Sequence, residues 1–175
     1  SAPVRVALDM PGRPEITLGR VDFEAWLYAA AASRAGIATI PRAVGRALQG
    51  DYRDVARNVA AARAPTAWSL TPIAFNCSAG LSIGRAEQLL VESELAVLRY
   101  VPSAMLNAVC RGWPAPRLPT DFRYPIESNV DILAVVGTLD LHTSLEAVEE
   151  ALEGLPRATV VTVEGAARGE DLLVE

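Results

Sequence analysis

Two uninterrupted runs with a helix-patterned stretch between them constrain this chain more than any other feature. Ile132–Val136 is apolar throughout, and a run without polar alternation reads as a strand buried on both faces of a parallel sheet. Thr159–Val163 is a second, β-branched run. Between them Leu145, Val148, Leu152 and Leu155 recur at helical spacing, after Thr143-Ser144-Leu145-Glu146 and before Gly154-Leu155-Pro156. Hydroxyl caps with a first-turn acid start a helix, and Gly and Pro stop one. The spacing predicts parallel strands joined by a Ser144–Leu155 helix in a right-handed crossover. Gly137 ends the first strand and Asp140 stands just beyond it. In open α/β sheets that carboxyl edge is where ligands and catalytic groups collect.

Upstream the pattern changes. Val4–Leu8 and Glu15–Leu18 flank Met10-Pro11-Gly12-Arg13, and Pro-Gly between alternating apolar residues predicts a β-hairpin. Asp22 is expected to cap a helix whose Phe23, Trp26, Leu27 and Ala30 share a face, ending near Ala35-Gly36. Pro41 is expected to open a second helix to Gly50, and Asp51 a third that carries Tyr52, Val55, Val59 and Ala62. Residues 64–84 read as irregular, with a short extended piece at Ile73–Cys77. A long helix is expected over Arg85–Tyr100, its Glu87, Glu92 and Glu94 forming a solvated face. Pro102 breaks it, and Ser103–Arg111 reads as one more short helix. Pro114, Pro116, Pro119 and Pro125 then stiffen a connector into the Asp131 strand. The division expected from this is a hairpin and helical, lid-like region over 1–111 and a βαβ unit over 112–175. The fold class is α/β.

Charge removes several functions. The 16 basic residues of this 175-residue chain are all arginine, dispersed, within a net charge of −5, so nucleic-acid binding has no support. No apolar run approaches the roughly 20 residues of a membrane span. The two cysteines, Cys77 and Cys110, lack metal-ligand spacing, and no cofactor or metal is implied. Read from the residues alone they are two buried thiols, which behave as small hydrophobes. Ser1-Ala2-Pro3-Val4 lacks a basic and apolar signal pattern, so any targeting peptide is expected to be absent or removed.

Val136-Gly137-Thr138-Leu139-Asp140 and Thr143, then a helix, Gly154-Leu155-Pro156, a strand and Gly165-Ala166-Ala167-Arg168-Gly169 resemble the end of an α/β-hydrolase. The likeness is to the tripeptidyl-aminopeptidase-like branch, relatives of proline iminopeptidases. It implies a partial α/β-hydrolase fold, with a helical lid followed by the terminal parallel βαβ unit. In that family a Gly-x-Leu-Asp turn carries the triad acid and a Gly-Ala-Gly-His-Gly-type turn the triad histidine. Asp140 matches the acid, and Arg168 occupies the expected histidine position. The family also implies that the missing strands lie upstream of the lid. This chain then reads as the carboxyl-terminal portion of a larger hydrolase, with the upstream half as its partner and a small peptide or ester as substrate. The contexts of Cys77 and Cys110 resemble paired cysteines that flank the lid in exported members, which implies a Cys77–Cys110 bridge as the alternative to two thiols, and with it an extracytoplasmic location.

A serine hydrolase needs a nucleophile on a sharp strand-to-helix turn, an imidazole to take its proton and an acid to orient the imidazole. Gly80-Leu81-Ser82-Ile83-Gly84 has the Gly-x-Ser-x-Gly form. The stretch before it is a poor strand, and only one connection separates Ser82 from Asp140, so Ser82 is not assigned as nucleophile. By resemblance it falls in the lid. Asp140 could also serve simply as an acid near a helix start. His142, the only histidine, lies on the acid's own loop and reads as a surface residue. Arg168 cannot act as base, since a guanidinium has no lone pair to accept a proton. A substituted histidine, a degenerate relative and a base elsewhere all fit the sequence. The chain alone is expected to be inactive. The second reading is a non-catalytic binding or partner domain that keeps the fold.

Overall fold

In a computed structural model the chain forms two compact units, Ser1–Val59 with Pro125–Glu175, and Ala60–Tyr124. The structure describes residues 2–9, 12, 15–64, 70–96, 98, 109–114 and 116–172. The division is not the single cut at residue 112 suggested by the sequence. The amino-terminal hairpin and helices share a unit with the carboxyl-terminal strands, because tertiary contact does not follow chain order.

In the first unit β1 (Val4–Ala7) and β2 (Glu15–Leu18) pair antiparallel, Val4 opposite Leu18. Their inward residues Val6, Ile16 and Leu18 are buried, as strand alternation requires. Helix α1 covers Arg20–Ala30. Asp22 does not cap it as expected. Gly19 is the cap, and Asp22, inside the first turn, reaches back so that its Oδ2 accepts the Gly19 N–H at 2.8 Å. Trp26 and Glu24 are buried on this helix, Glu24 paired with Arg20 at 2.7 Å.

Helix α2 (Arg34–Leu48) departs from the sequence reading twice. Gly36 does not end the preceding helix. It lies in the first turn of α2, where the Ser33 hydroxyl accepts its N–H. A Cβ at Gly36 would overlap the Ala30 carbonyl, so this tight helix-to-helix turn has room only for glycine. Pro41 does not start a helix either but sits within α2. A helix nucleated at the Ser33 cap loses one backbone donor at Pro41 and continues. Helix α3 (Arg53–Ala62) buries Val55, Ala56, Val59 and Ala60, while Ala62 is exposed.

In the second unit Ile73–Cys77 is helical rather than extended. Helix α4 (Thr71–Ala79) has Pro72 in its first turn and Gly80, at φ +69°, after its last. That pairing of proline and glycine marks both ends of a helix and outweighs local strand propensity. Helix α5 runs Ile83–Leu95, starting earlier and stopping sooner than expected, with Ala96 already extended. Leu90, Val91 and Leu95 are exposed, and a short helix without a packed face gains little by lengthening. The short helix expected over Ser103–Arg111 lies largely outside the described residues. Cys77 and Cys110 are bonded as a disulfide, Cα atoms 5.1 Å apart. Leu118 N–H donates to the Ser78 carbonyl at 3.0 Å and Arg123 Nε to Ala79 at 2.7 Å, tying the connector to α4.

Back in the first unit, β3 (Ile132–Gly137) and β4 (Ala158–Val163) pair in parallel, Ile132 opposite Ala158 and Gly137 opposite Val163. Between them in the chain is α6 (Leu145–Ala151), capped by the Ser144 hydroxyl, which accepts the Ala147 N–H. It is shorter than the expected Ser144–Leu155 helix, since Leu152–Leu155 closes as a turn that contains Gly154 at φ +88°, with Pro156 next in the chain. The β3 run is not buried on both faces. Leu133 and Val135 are 66% and 41% exposed, and Val160 and Val161 of β4 are 37% and 43% exposed. Leu133, Val135 and Val161 share one face and Val160 lies on the other, so two strands alone leave both faces partly uncovered.

Candidate functional site

The sequence places Asp140 and Arg168 beyond the carboxyl ends of two strands. The parallel pairing of β3 and β4 puts both on one edge. What joins the two turns there is backbone. Leu139 N–H donates to the Ala166 carbonyl at 2.8 Å, and Thr138 N–H to Val163 at 3.1 Å. Gly165 N–H returns a bond to Thr138 Oγ1 at 2.9 Å. Ala166 and Ala167 are 3% and 0% exposed beneath this knot. Gly137 permits the approach: a Cβ built on it would stand 2.7 Å from the Ala166 carbonyl carbon and overlap the carbonyl oxygens of Ala166 and Ala167. Glycine at the strand end is therefore a requirement of space, not only of turn propensity.

Asp140 turns its carboxylate into its own loop. Oδ1 accepts the N–H groups of His142 at 2.8 Å and Thr143 at 3.0 Å, while Asp140 N–H closes on the Gly137 carbonyl at 3.1 Å. The acid so organises the step from β3 to α6, as short acidic side chains do in turns. Asp140 and Arg168 share this edge without a direct ion pair, and Arg168 Nη1 lies by the His142 ring instead. The physical reason is that Oδ1 is engaged by two backbone donors and the guanidinium turns to an imidazole instead.

That imidazole is His142, which the sequence reading left as an ordinary surface residue. Its ring stacks on Tyr28 of α1 at 4.0 Å between centroids and 28° between planes. Nε2 lies 3.0 Å from the Tyr28 carbonyl oxygen and Nδ1 3.5 Å from Arg168 Nη1. Arginine only donates, so Nδ1 accepts and Nε2–H donates, a tautomer assigned from these partners. With both ring nitrogens engaged, His142 does not present a base to a substrate. It links α1, the acid loop and the Arg168 turn. No sequence signal connects Tyr28 to His142, since the two are far apart in the chain.

Ser82 has a structural role in the second unit. Its hydroxyl accepts the Arg85 N–H at 3.3 Å as the cap of α5. Its φ of −61° and ψ of 156° are unstrained, and helix α4, not a strand, precedes it. A nucleophile elbow needs a strained strand-to-helix turn. Among the described residues no three His, Cys, Asp or Glu side chains gather as a metal site, and no helix is long and apolar enough to cross a membrane.

The α/β-hydrolase family described as TAP-like protein matches residues 99–172, fewer than half of the chain. No curated protein and no solved structure matches it. The matched segment includes β3, both knitted turns, Asp140 and Arg168. The match supports a TAP-like α/β-hydrolase relationship for this chain and a hydrolase-type function.

Proposed function

We propose, from the TAP-like α/β-hydrolase relationship, that this chain supplies the terminal strands and acid turn of a serine hydrolase acting on amide or ester bonds of short peptides from the amino end. The observation that carries this is the knot at Gly137, which sets Asp140 and Arg168 on one edge of a parallel strand pair. In this reading Asp140 is the triad acid, Arg168 stands in the histidine position, and the hairpin and helices over 1–111 form a lid-like region. The upstream half supplies the strands that extend this two-stranded pair at its edge, with the helices that cover its exposed Leu133, Val135, Val160 and Val161, and carries the nucleophile. The Cys77–Cys110 bridge supports an extracytoplasmic location, where disulfides persist. A second reading, an inactive binding or partner domain on the same fold, is favoured by Arg168, which cannot accept a proton.

The test is hydrolysis of aminoacyl and tripeptidyl chromogenic substrates. The chain alone should show no turnover. Turnover abolished by Ser82→Ala would refute the assignment. In a complete protein made active by Arg168→His, Asp140→Asn should lower kcat by on the order of 10⁴. If Arg168→His creates activity there, the chain is a hydrolase that lost its base. If complete protein with Arg168→His stays inert, the binding-domain reading stands.

A further inference from the structure

Away from that edge, the end of β1 and the start of α3 enclose a second feature of the first unit. Arg53 and Arg57 are one turn apart on α3 and so share a face. Beside them lie Arg46, Asp51 and Asp54. Arg46 donates to Asp51 Oδ2 from Nε at 3.1 Å and from Nη2 at 2.7 Å, and to Asp54 Oδ2 from Nη1 at 3.0 Å. Arg53 holds Asp51 through Nε at 2.9 Å and Nη2 at 3.0 Å. Two carboxylates thereby engage two guanidiniums through charge-assisted hydrogen bonds. Arg57 is the third cation. Its only ion pair among the described residues is with Asp54 Oδ1 at 3.6 Å, beyond hydrogen-bond length.

An open cleft of about 480 Å³ is lined by Ala7, Leu8, Asp9, Arg53 and Arg57, so an acid shares it with these guanidiniums. Asp9 is exposed and forms no ion pair among the described residues. Leu8, buried, gives the cleft an apolar wall. Asp9 and Arg57 line the same cleft without forming an ion pair with each other. We propose that this cleft binds a small zwitterion, an α-amino acid or dipeptide, with its ammonium on Asp9, its carboxylate on Arg57 and its side chain against Leu8. The shape and chemistry suit it: an open cleft with few convergent polar groups and an apolar wall, and a guanidinium whose fork matches a carboxylate. The site does not depend on the hydrolase reading.

The experiment is an NMR titration of the intact chain with leucine, leucyl-leucine, leucine amide and N-acetyl-leucine. Saturable shifts at Asp9 and Arg57 are expected from leucine or its dipeptide, with a dissociation constant on the order of 1 mM. Whichever binds tighter identifies the occupant. Leucine amide and N-acetyl-leucine, each lacking one charge, should bind about tenfold more weakly or worse. Arg57→Gln should erase the preference for leucine over leucine amide, and Arg57→Lys should retain part of it. Asp9→Asn should erase the preference over N-acetyl-leucine. Both positions are exposed, and circular dichroism checks that the variants keep the parent fold. Linear shifts, equal responses to all four probes, or preferences that survive Arg57→Gln and Asp9→Asn would overturn the proposal.

Discussion

Replacing Gly137 with alanine tests whether the two turns are held together by close backbone approach. The added methyl would stand 2.7 Å from the Ala166 carbonyl carbon and overlap two carbonyl oxygens. Neither neighbour is a flexible side chain, so a backbone segment must move by about 1 Å to restore contact distance. That shift strains the knot of Leu139 N–H to Ala166 O and Gly165 N–H to Thr138 Oγ1, each bond worth about 1 kcal/mol. Overpacking adds about 1–3 kcal/mol. Against this, alanine restricts the unfolded chain and returns up to about 1 kcal/mol. Gly137 does not have positive φ, so the loss arises from space and not from the dihedral. The net expectation is a loss of about 2–3 kcal/mol. Gly45→Ala in α2 meets nothing within 4 Å and should gain about 0.5–1 kcal/mol from helix propensity alone. Urea denaturation followed by circular dichroism measures both, and hydrogen exchange at the Leu139 amide reports the knot itself. Parent-like stability for Gly137→Ala, with Leu139 still protected, would refute the close approach.

Three further outcomes are expected. Reducing the Cys77–Cys110 bridge, which spans 33 residues of sequence, should destabilise the chain by about 3.7 kcal/mol on loop-closure entropy. Thermal melts with and without reductant check it, and a Cys77→Ala, Cys110→Ala variant insensitive to reductant is the control. Ser82→Ala should cost about 1 kcal/mol through loss of the α5 cap, seen as a lower urea midpoint, while leaving any hydrolytic activity untouched. Asp51 is held well below the usual carboxylate range by hydrogen bonds from the Arg53 side chain and backbone N–H, and then from Arg46. Because its folded pKa is depressed, its stabilisation is complete above the unfolded value of about 3.9 and is lost as pH falls below it. Urea midpoints at pH 6 and pH 3 should therefore converge in Asp51→Asn relative to the parent.

The order of strands and helices was readable wherever local chemistry repeats at a regular spacing. The hairpin, both parallel strands, the Ser144 cap and the turn at Gly154 follow from alternation, β-branching, hydroxyl placement and glycine, all of which act within a few residues. Errors arose where two local signals compete. Gly36 looks like a helix stop until Ser33 is seen capping from the other side, and Pro41 looks like a helix start until the helix is found already running. Ile73–Cys77 reads as extended until Pro72 and Gly80 bracket it. Asp140 and Arg168 were legible as residues of one sheet edge because parallel strands carry their following turns to the same end. Their relation to each other was not. Whether a carboxylate points at a guanidinium or at its own backbone depends on a balance of a few hydrogen bonds. His142 binding Tyr28, Gly137 making room for Ala166 and Ala167, and Arg57 sharing a cleft with Asp9 bring together segments with no local pattern in common. Such contacts exist only once the chain has folded, because tertiary packing rather than sequence neighbourhood chooses the partners.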